Sequence, residues 1–325
     1  MIVTLTPNPS IDRAYDLDHL LVGEVNRAAA VHVDAGGKGI NVSRALHAAS
    51  IPTRAVLPVG GPDGELLLAL LAQLRVPTVP VPVEGATRSN ITLVAGDTTK
   101  VNAPGPNLDD AARDRLLRAV ADAVAPGDVV VAAGSLPAGV APDLYVRLGG
   151  LVRERGAGLV LDTSGPALQQ AVAAGGLALI KPNDEELAEL VGRELPTVGD
   201  VVTAARELVA TGTDRVLVSL GAHGALLVSA DGSWWAGGPA LVAASTVGAG
   251  DTTLAGYLAA CTSGHGADSR TDLAADPAHA LRTAVAWGRA AVQLPGTAVP
   301  TPDLVRADEV RILTTPDPTT PIKEM

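Results

Sequence analysis

Apolar residues along this chain follow two periods in turn: short runs rich in Val, Ile and Leu, then longer stretches with apolar positions three and four apart. The runs predict strands at 2–6, 54–59, 128–133, 158–162, 177–181, 215–219 and 225–229. The longer stretches predict helices at 39–49, 64–74, 110–124, 142–155, 183–191, 198–210, 250–262 and 277–293. Capping chemistry agrees, with Asn107 and Asp109 ahead of the third helix and Asp200 in the first turn of the sixth. Strand alternating with helix is the pattern of an α/β fold, a mostly parallel sheet covered by helices.

Two stretches break the alternation, and both read as β. The first runs over 13–34, the second over 88–102, where Ala95-Gly96-Asp97 is a hairpin signal. Together they predict a small β lid inserted into one α/β domain spanning 1–313. The proline-rich segment 314–325 is expected to be a poorly ordered tail.

Composition narrows the chemistry. The chain of 325 residues has no Phe, three Trp and three Tyr, so its core rests on aliphatic side chains and it lacks aromatic platforms for stacking bases or caging quaternary cations. With 24 basic and 35 acidic residues, a net charge of −11 and no dense basic run, nucleic-acid binding is not expected. One cysteine excludes an internal disulfide framework, and no Cys and His stand at zinc spacing. No apolar stretch is long enough to predict a membrane span, and the first residues lack a signal-peptide pattern, so a cytoplasmic location is expected.

Three segments carry candidate chemistry. In Ser245-Thr246-Val247-Gly248-Ala249-Gly250-Asp251 a glycine-rich turn runs into a helix, so the backbone amides of Gly248, Ala249 and Gly250 form an anion hole. Asp251 then makes sense as a base beside a phosphate; the alternative is an ordinary helix cap. In Gly36-Gly37-Lys38-Gly39-Ile40-Asn41 one of only four lysines sits between glycines. Lys38 and the Gly36 and Gly37 amides suit a polar substrate, unless this is a tight turn with a solvated lysine. No lysine completes a P-loop. In Lys181-Pro182-Asn183-Asp184-Glu185-Glu186, Asn183 and Glu186 fall on one side of a helical turn. Their oxygens suit Mg²⁺ held largely through water, although acidic residues in a first turn also complement the helix dipole.

Together, DAGGKGINVSRALH, STVGAGDTTLAGYL, the opening TLTPNPSIDRAYDLD, the GSLPAGV turn and AAVQLPGTAVPTP resemble the PfkB carbohydrate kinases of the ribokinase-like superfamily, and within it the 1-phosphofructokinase and tagatose-6-phosphate kinase branch. The resemblance implies a three-layer α/β/α fold and ATP-dependent phosphorylation of a ketohexose monophosphate, fructose 1-phosphate foremost. Tagatose 6-phosphate and fructose 6-phosphate are the rival acceptors, and a catalytically silent sugar-phosphate sensor is the rival from outside enzymology. It implies that Asp251 is the base and that Gly248, Ala249 and Gly250 hold the transferred group. Asp12, Gly37, Lys38 and Asn41 match sugar-binding positions, while Arg88, Lys38 and Ser135 match those that receive the substrate's own phosphate. Asn183 and Glu186 match an NxxE motif linked to Mg²⁺; Ser219, Gly221 and Gly224, with Lys181, match the nucleotide site. The lid would pair two copies, with Arg27 reaching a neighbour's substrate. Ser245-Thr246 departs from the Asp-Thr of many members, which puts a ribokinase-type monovalent-cation site in doubt.

Overall fold

A computed structural model of the chain describes residues 1–263, 270–273 and 276–325. In chain order come β1 (Ile2–Leu5), β2 (Ser10–Asp16), β3 (Ala30–Gly36), α1 (Lys38–Ala48), β4 (Thr53–Val59), α2 (Gly61–Gln73) and β5 (Thr78–Pro82). Next are β6 (Arg88–Ala95), β7 (Asp97–Val101), α3 (Asp110–Ala123), β8 (Val129–Ala133), α4 (Leu144–Glu154), β9 (Gly158–Asp162), α5 (Gly165–Ala174) and β10 (Leu179–Ile180). The remainder holds α6 (Asp184–Val191), α7 (Val198–Ala210), β11 (Arg215–Ser219), β12 (Ala225–Ser229), β13 (Gly232–Gly237), α8 (Ala249–Ala260), β14 (Thr262–Ser263), β15 (Arg270–Thr271), α9 (Pro277–Val292) and β16 (Arg311–Thr314).

Among the described residues the main sheet has ten strands, in the order β16-β13-β12-β11-β10-β9-β8-β1-β4-β5. Pairing is parallel from β5 through to β11 and antiparallel across β12, β13 and β16. Strand β8 is buried at every position, as expected of a strand covered on both faces, and its Val-Val-Val-Ala-Ala needs no aromatic filler. One face of the sheet packs α3 to α7 through Leu116, Leu148, Leu168, Leu187 and Leu208; the other packs α1, α8 and α9 through Leu46, Leu254 and Leu281. That is the expected three-layer arrangement. No helix among the described residues is long and apolar enough to cross a membrane.

The second sheet has the order β3-β2-β6-β7, with β2 and β6 parallel and the outer pairs antiparallel. Gly96 turns the β6–β7 hairpin with φ of 80°. Ile11 and Ala35, at the root of this lid, are buried with Ile40 of α1 and Leu67 and Leu71 of α2. The lid strands therefore begin nearer the core than 13–34 allows, because Ser10, Ile11 and Asp12 already pair with β3 and β6.

Elements outside the predicted set have physical reasons. Helix α5 is short and opens on Gly165-Pro166, which read as a turn, yet Pro at a helix start is favourable. Strand β5 carries two prolines and is tolerated because it lies at the sheet edge. The tail is not loose: β16 pairs with β13, the Val198 and Gly199 amides donate to Thr320 and Pro318, and Ile322 is buried. Its prolines mark turns on a docked segment.

Candidate active site

Nearly all of the predicted site residues fall at the carboxyl ends of the parallel strands or on the lid root above them, where ligands bind in open α/β sheets. Gly248 stands immediately before α8 as its N-cap, with a φ of 76° in the left-handed region, and no side chain caps the helix among the described residues. Asp251 is in the first turn but does not close that end. Its Oδ2 accepts a hydrogen bond from Asn41 Nδ2 of α1 at 2.8 Å. The helix-cap alternative is therefore set aside; the Ala249 amide reaches the Thr246 carbonyl only at 3.5 Å, and no side chain competes with an anion at this end among the described residues.

Asp251 is buried, and its carboxyl is pushed up to about 7, first by burial and then by the charge of Asp162; the Asn41 hydrogen bond, Lys38 and Lys181 act in the opposite direction. Asp162, the last residue of β9, is the site residue that the motifs missed. It is 0% exposed, with Lys38 Nζ 2.7 Å from Oδ1 and Lys181 Nζ 3.1 Å from Oδ2. The second contact is an ion pair without hydrogen-bond alignment, since Oδ2 has no hydrogen-bond partner. Burial works against its charge, yet Lys181 and Lys38 hold Asp162 below the usual carboxylate range. Burial likewise works against the Lys38 ammonium, and Asp162 holds it above the usual lysine range, with help from Asp251 and Glu186. A carboxylate ending the apolar run Gly-Leu-Val-Leu was the signal available in the sequence.

Lys38 is thus an ordered cation, contrary to the solvated-turn alternative. Gly37, at φ 123°, aims α1 into the site. Across from it Asp12 accepts from Ser10 Oγ at 2.7 Å and Asn90 Nδ2 at 3.0 Å, and a Cβ on Gly36 would strike its carboxylate. Arg88 opens β6. It donates to the Asn8 carbonyl at 3.0 Å and the Ala103 carbonyl at 3.3 Å, while its buried Nε has no partner. Burial lowers its pKa, against the pull of Asp12. Thr6 Oγ1, Asn8 Oδ1 and Asn90 Oδ1 are also buried without partners. Such groups are costly unless a polar ligand meets them. A cleft of about 1130 Å³, lined by Asp12, Arg44, Thr92, Thr246 and Thr297 among others, separates the lid from the core.

Ser135 is exposed in the loop after β8, where the Gly134 carbonyl accepts from Tyr145 Oη and Thr163 Oγ1, each at 2.9 Å. Ser219 ends β11 and bridges to Asn183, and Gly221 and Gly224 flank the turn that follows, both at positive φ. Asn183 and Glu186 form a capping box on α6: Asn183 Oδ1 accepts from the Glu186 amide at 2.6 Å and Glu186 Oε2 from the Asn183 amide at 2.9 Å. Glu186 Oε1 stays outside the box. One carboxylate oxygen beside substrate phosphates is an ordinary Mg²⁺ donor set, so these residues fit that ion through water. No cluster of three acidic, His or Cys side chains that could hold a metal occurs among the described residues. Arg27 is exposed on the lid loop between β2 and β3.

A buried carboxyl at an uncapped helix start, lysines gathered around a second buried carboxylate and a β lid over an α/β core fit a sugar kinase, a phosphotransferase with ATP as co-substrate. Residues 5–304 match the model of the pfkB family carbohydrate kinases. The chain belongs to that family, and its fold is ribokinase-like. It is 36% identical over 310 residues to the 1-phosphofructokinase of Rhodobacter capsulatus, covering 94% of this chain and 95% of that protein. It is 40% identical over 258 residues to the ATP-dependent 6-phosphofructokinase isozyme 2 of Mycobacterium tuberculosis (strain H37Rv), covering 78% of this chain and 76% of that one. Among solved structures, phosphofructokinase-2 from Escherichia coli in complex with potassium superposes with a TM-score of 0.85 at 34% identity, covering 94% of this chain and 96% of that one.

Proposed function

We propose that the protein transfers the γ-phosphoryl group of ATP to the free primary hydroxyl of a ketohexose monophosphate, with fructose 1-phosphate as the preferred acceptor and fructose 1,6-bisphosphate as product. The observation that carries this is the buried Asp251 carboxylate, held near neutrality at the uncapped start of α8. A base poised near the working pH is what general-base catalysis needs. Asp251 takes the hydroxyl proton as the sugar oxygen bonds to the γ-phosphorus and the bond to the ADP oxygen breaks. The Gly248, Ala249 and Gly250 amides stabilise charge on the transferred group, which suits a reaction governed by positioning and electrostatics. Lys38, Arg88 and Ser135 receive the phosphate that the acceptor already carries. Three such groups are excessive for a neutral sugar, and a guanidinium grips a dianion bidentately.

Ser219, Gly221, Gly224 and Lys181 belong to the nucleotide side, and Asn183 and Glu186 would hold Mg²⁺. That ion would supply charge neutralisation between the phosphates. The lid excludes water, which otherwise competes with the sugar. Pairing of two copies through the lid is part of the same proposal, supported by exposed Leu21, Val22, Val25, Val31 and Val101; Arg27 would then face the other copy's substrate.

The acceptor is tested by ³¹P NMR of a mixture of ATP, fructose 1-phosphate and fructose 6-phosphate. Faster consumption of fructose 1-phosphate is expected. Preferential consumption of fructose 6-phosphate would instead support the second reading, a 6-phosphofructokinase, which the likeness to the mycobacterial isozyme favours. Two further outcomes follow. Arg88→Ala should raise the KM for the sugar phosphate by about tenfold or more, the cost of one charged hydrogen bond; an unchanged KM would move the phosphate elsewhere. Since Asp251 must be ionised to accept a proton, kcat/KM should fall as pH drops below about 7. A profile flat down to pH 5.5 would contradict the assignment.

A further inference from the structure

Arg44, on the second turn of α1, is buried, and no carboxylate stands within ion-pair distance of it among the described residues. Its Nη1 lies 3.2 Å from the Ala35 carbonyl, 3.3 Å from Thr297 Oγ1 and 3.5 Å from Asn41 Oδ1, so its two hydrogens are shared among three acceptors. A buried charge resting on neutral acceptors is costly, and an aliphatic side chain would pack a helix more cheaply. Ala35 lies at the lid root, Thr297 in the loop after α9, and Asn41 on α1 itself. A Cβ added to Gly248 would lie 3.8 Å from both Asn41 Nδ2 and Thr297 Cγ2, so these groups line the start of α8. The guanidinium therefore joins the lid, the α9 loop and the amide that touches the base.

We infer that Arg44 is a positioning residue for Asp251: by donating to Asn41 Oδ1 it fixes the amide with Nδ2 toward the carboxylate. This rests on Asp251 being the base. An amide presents a donor at one end and an acceptor at the other, so occupying Oδ1 decides which end faces Asp251. The carboxylate is also faced by Asp162 from β9, Lys181 from the segment after β10 and Lys38 from α1, while Arg44 is faced by Asp34 of β3 and Asp12 of β2. The Asn41 hydrogen bond favours the ionised base. Losing its orientation raises the pH at which activity sets in.

The test is the pH profile of kcat/KM for wild type, Arg44→Met, Arg44→Lys, Asn41→Ala and the double variant Arg44→Met with Asn41→Ala. In Arg44→Met the acid limb should move up by about one pH unit, with kcat at pH 7 lowered about tenfold and the sugar-phosphate KM little changed. Arg44→Lys should restore part of the shift by returning an N–H donor. The double variant should match Asn41→Ala, because the two act through one hydrogen bond. An unmoved limb in Arg44→Met, or additive effects in the double variant, would overturn the inference. Should Arg44→Met fail to fold, Asn41→Ala carries the comparison: its acid limb should move up by about the same amount, and an unmoved limb there has the same force. If the wild type itself has no limb near 7, the base assignment fails first, which separates the two claims.

Discussion

Asp251→Asn should lower kcat by about 10²–10⁴-fold, the usual worth of a positioned general base, while ATP and sugar phosphate still bind. The asparagine keeps the shape of the side chain, and its carbonyl oxygen can still accept from Asn41. What it removes is the place for the proton. The loss should therefore appear in kcat with KM values near those of the wild type, because the proposed function assigns the substrate phosphate to Lys38 and Arg88 instead. Steady-state kinetics combined with calorimetric titration of both ligands separates the two quantities. Near-normal turnover would sink the assignment; loss of binding would show that Asp251 holds substrate instead.

Asp162→Asn should have the largest effect on stability. Asp162 is fully buried between two ammonium groups, and Lys181 is itself only 5% exposed. Removing the carboxylate leaves Lys181 as a buried charge without its partner, which costs about 3–5 kcal/mol in comparable cases. Lys38, with 40% of its side chain exposed, can turn toward solvent and adds less. Chemical unfolding measures this loss. A second readout has a definite sign. The Asp162 charge raises Asp251 and the two lysines lower it, so neutralising Asp162 should move the acid limb of kcat/KM below 7. Wild-type stability with an unmoved limb would mean that the three charges do not act as a unit.

The two examples also show what the sequence could reveal. Asp251 and Lys38 were singled out because glycine turns leading into helices imply a local geometry, and local geometry is what spacing encodes; Asn41 came in only through the family resemblance, as a sugar-binding position. Their alternatives, a cap and a solvated lysine, were removed only by contacts across the fold: Asn41 to Asp251 is a pairing over 210 positions. Asp162 shows the converse. At the end of an apolar strand it looks like any polar residue before a loop, and its role exists only because α1 and the segment after β10 bring lysines to it. Arg44 was hidden in the same way, since a charged residue on a helix reads as a solvated one. The alternation of strands and helices was legible, but α5 and β5 were masked by prolines whose tolerance depends on a helix start and a sheet edge. The three prolines of 314–325 predict loose chain, whereas the hydrogen bonds of Pro318 and Thr320 with the start of α7 and the burial of Ile322 depend on surfaces far away in sequence. The missing phenylalanines proved a matter of packing: aliphatic side chains fill most of the core, with Tyr145, Trp235, Tyr257 and Trp287 among them, and none of the candidate catalytic groups is aromatic.

The most direct test is ADP release by the purified protein with Mg²⁺ and ATP, compared as kcat/KM across fructose 1-phosphate, fructose 6-phosphate, tagatose 6-phosphate and free fructose. The site described above predicts turnover that depends on a phosphorylated ketohexose, highest with fructose 1-phosphate and lowest with free fructose. No release beyond background with any sugar phosphate, under conditions where those sugars bind, would contradict it and leave a sensor built on a kinase fold.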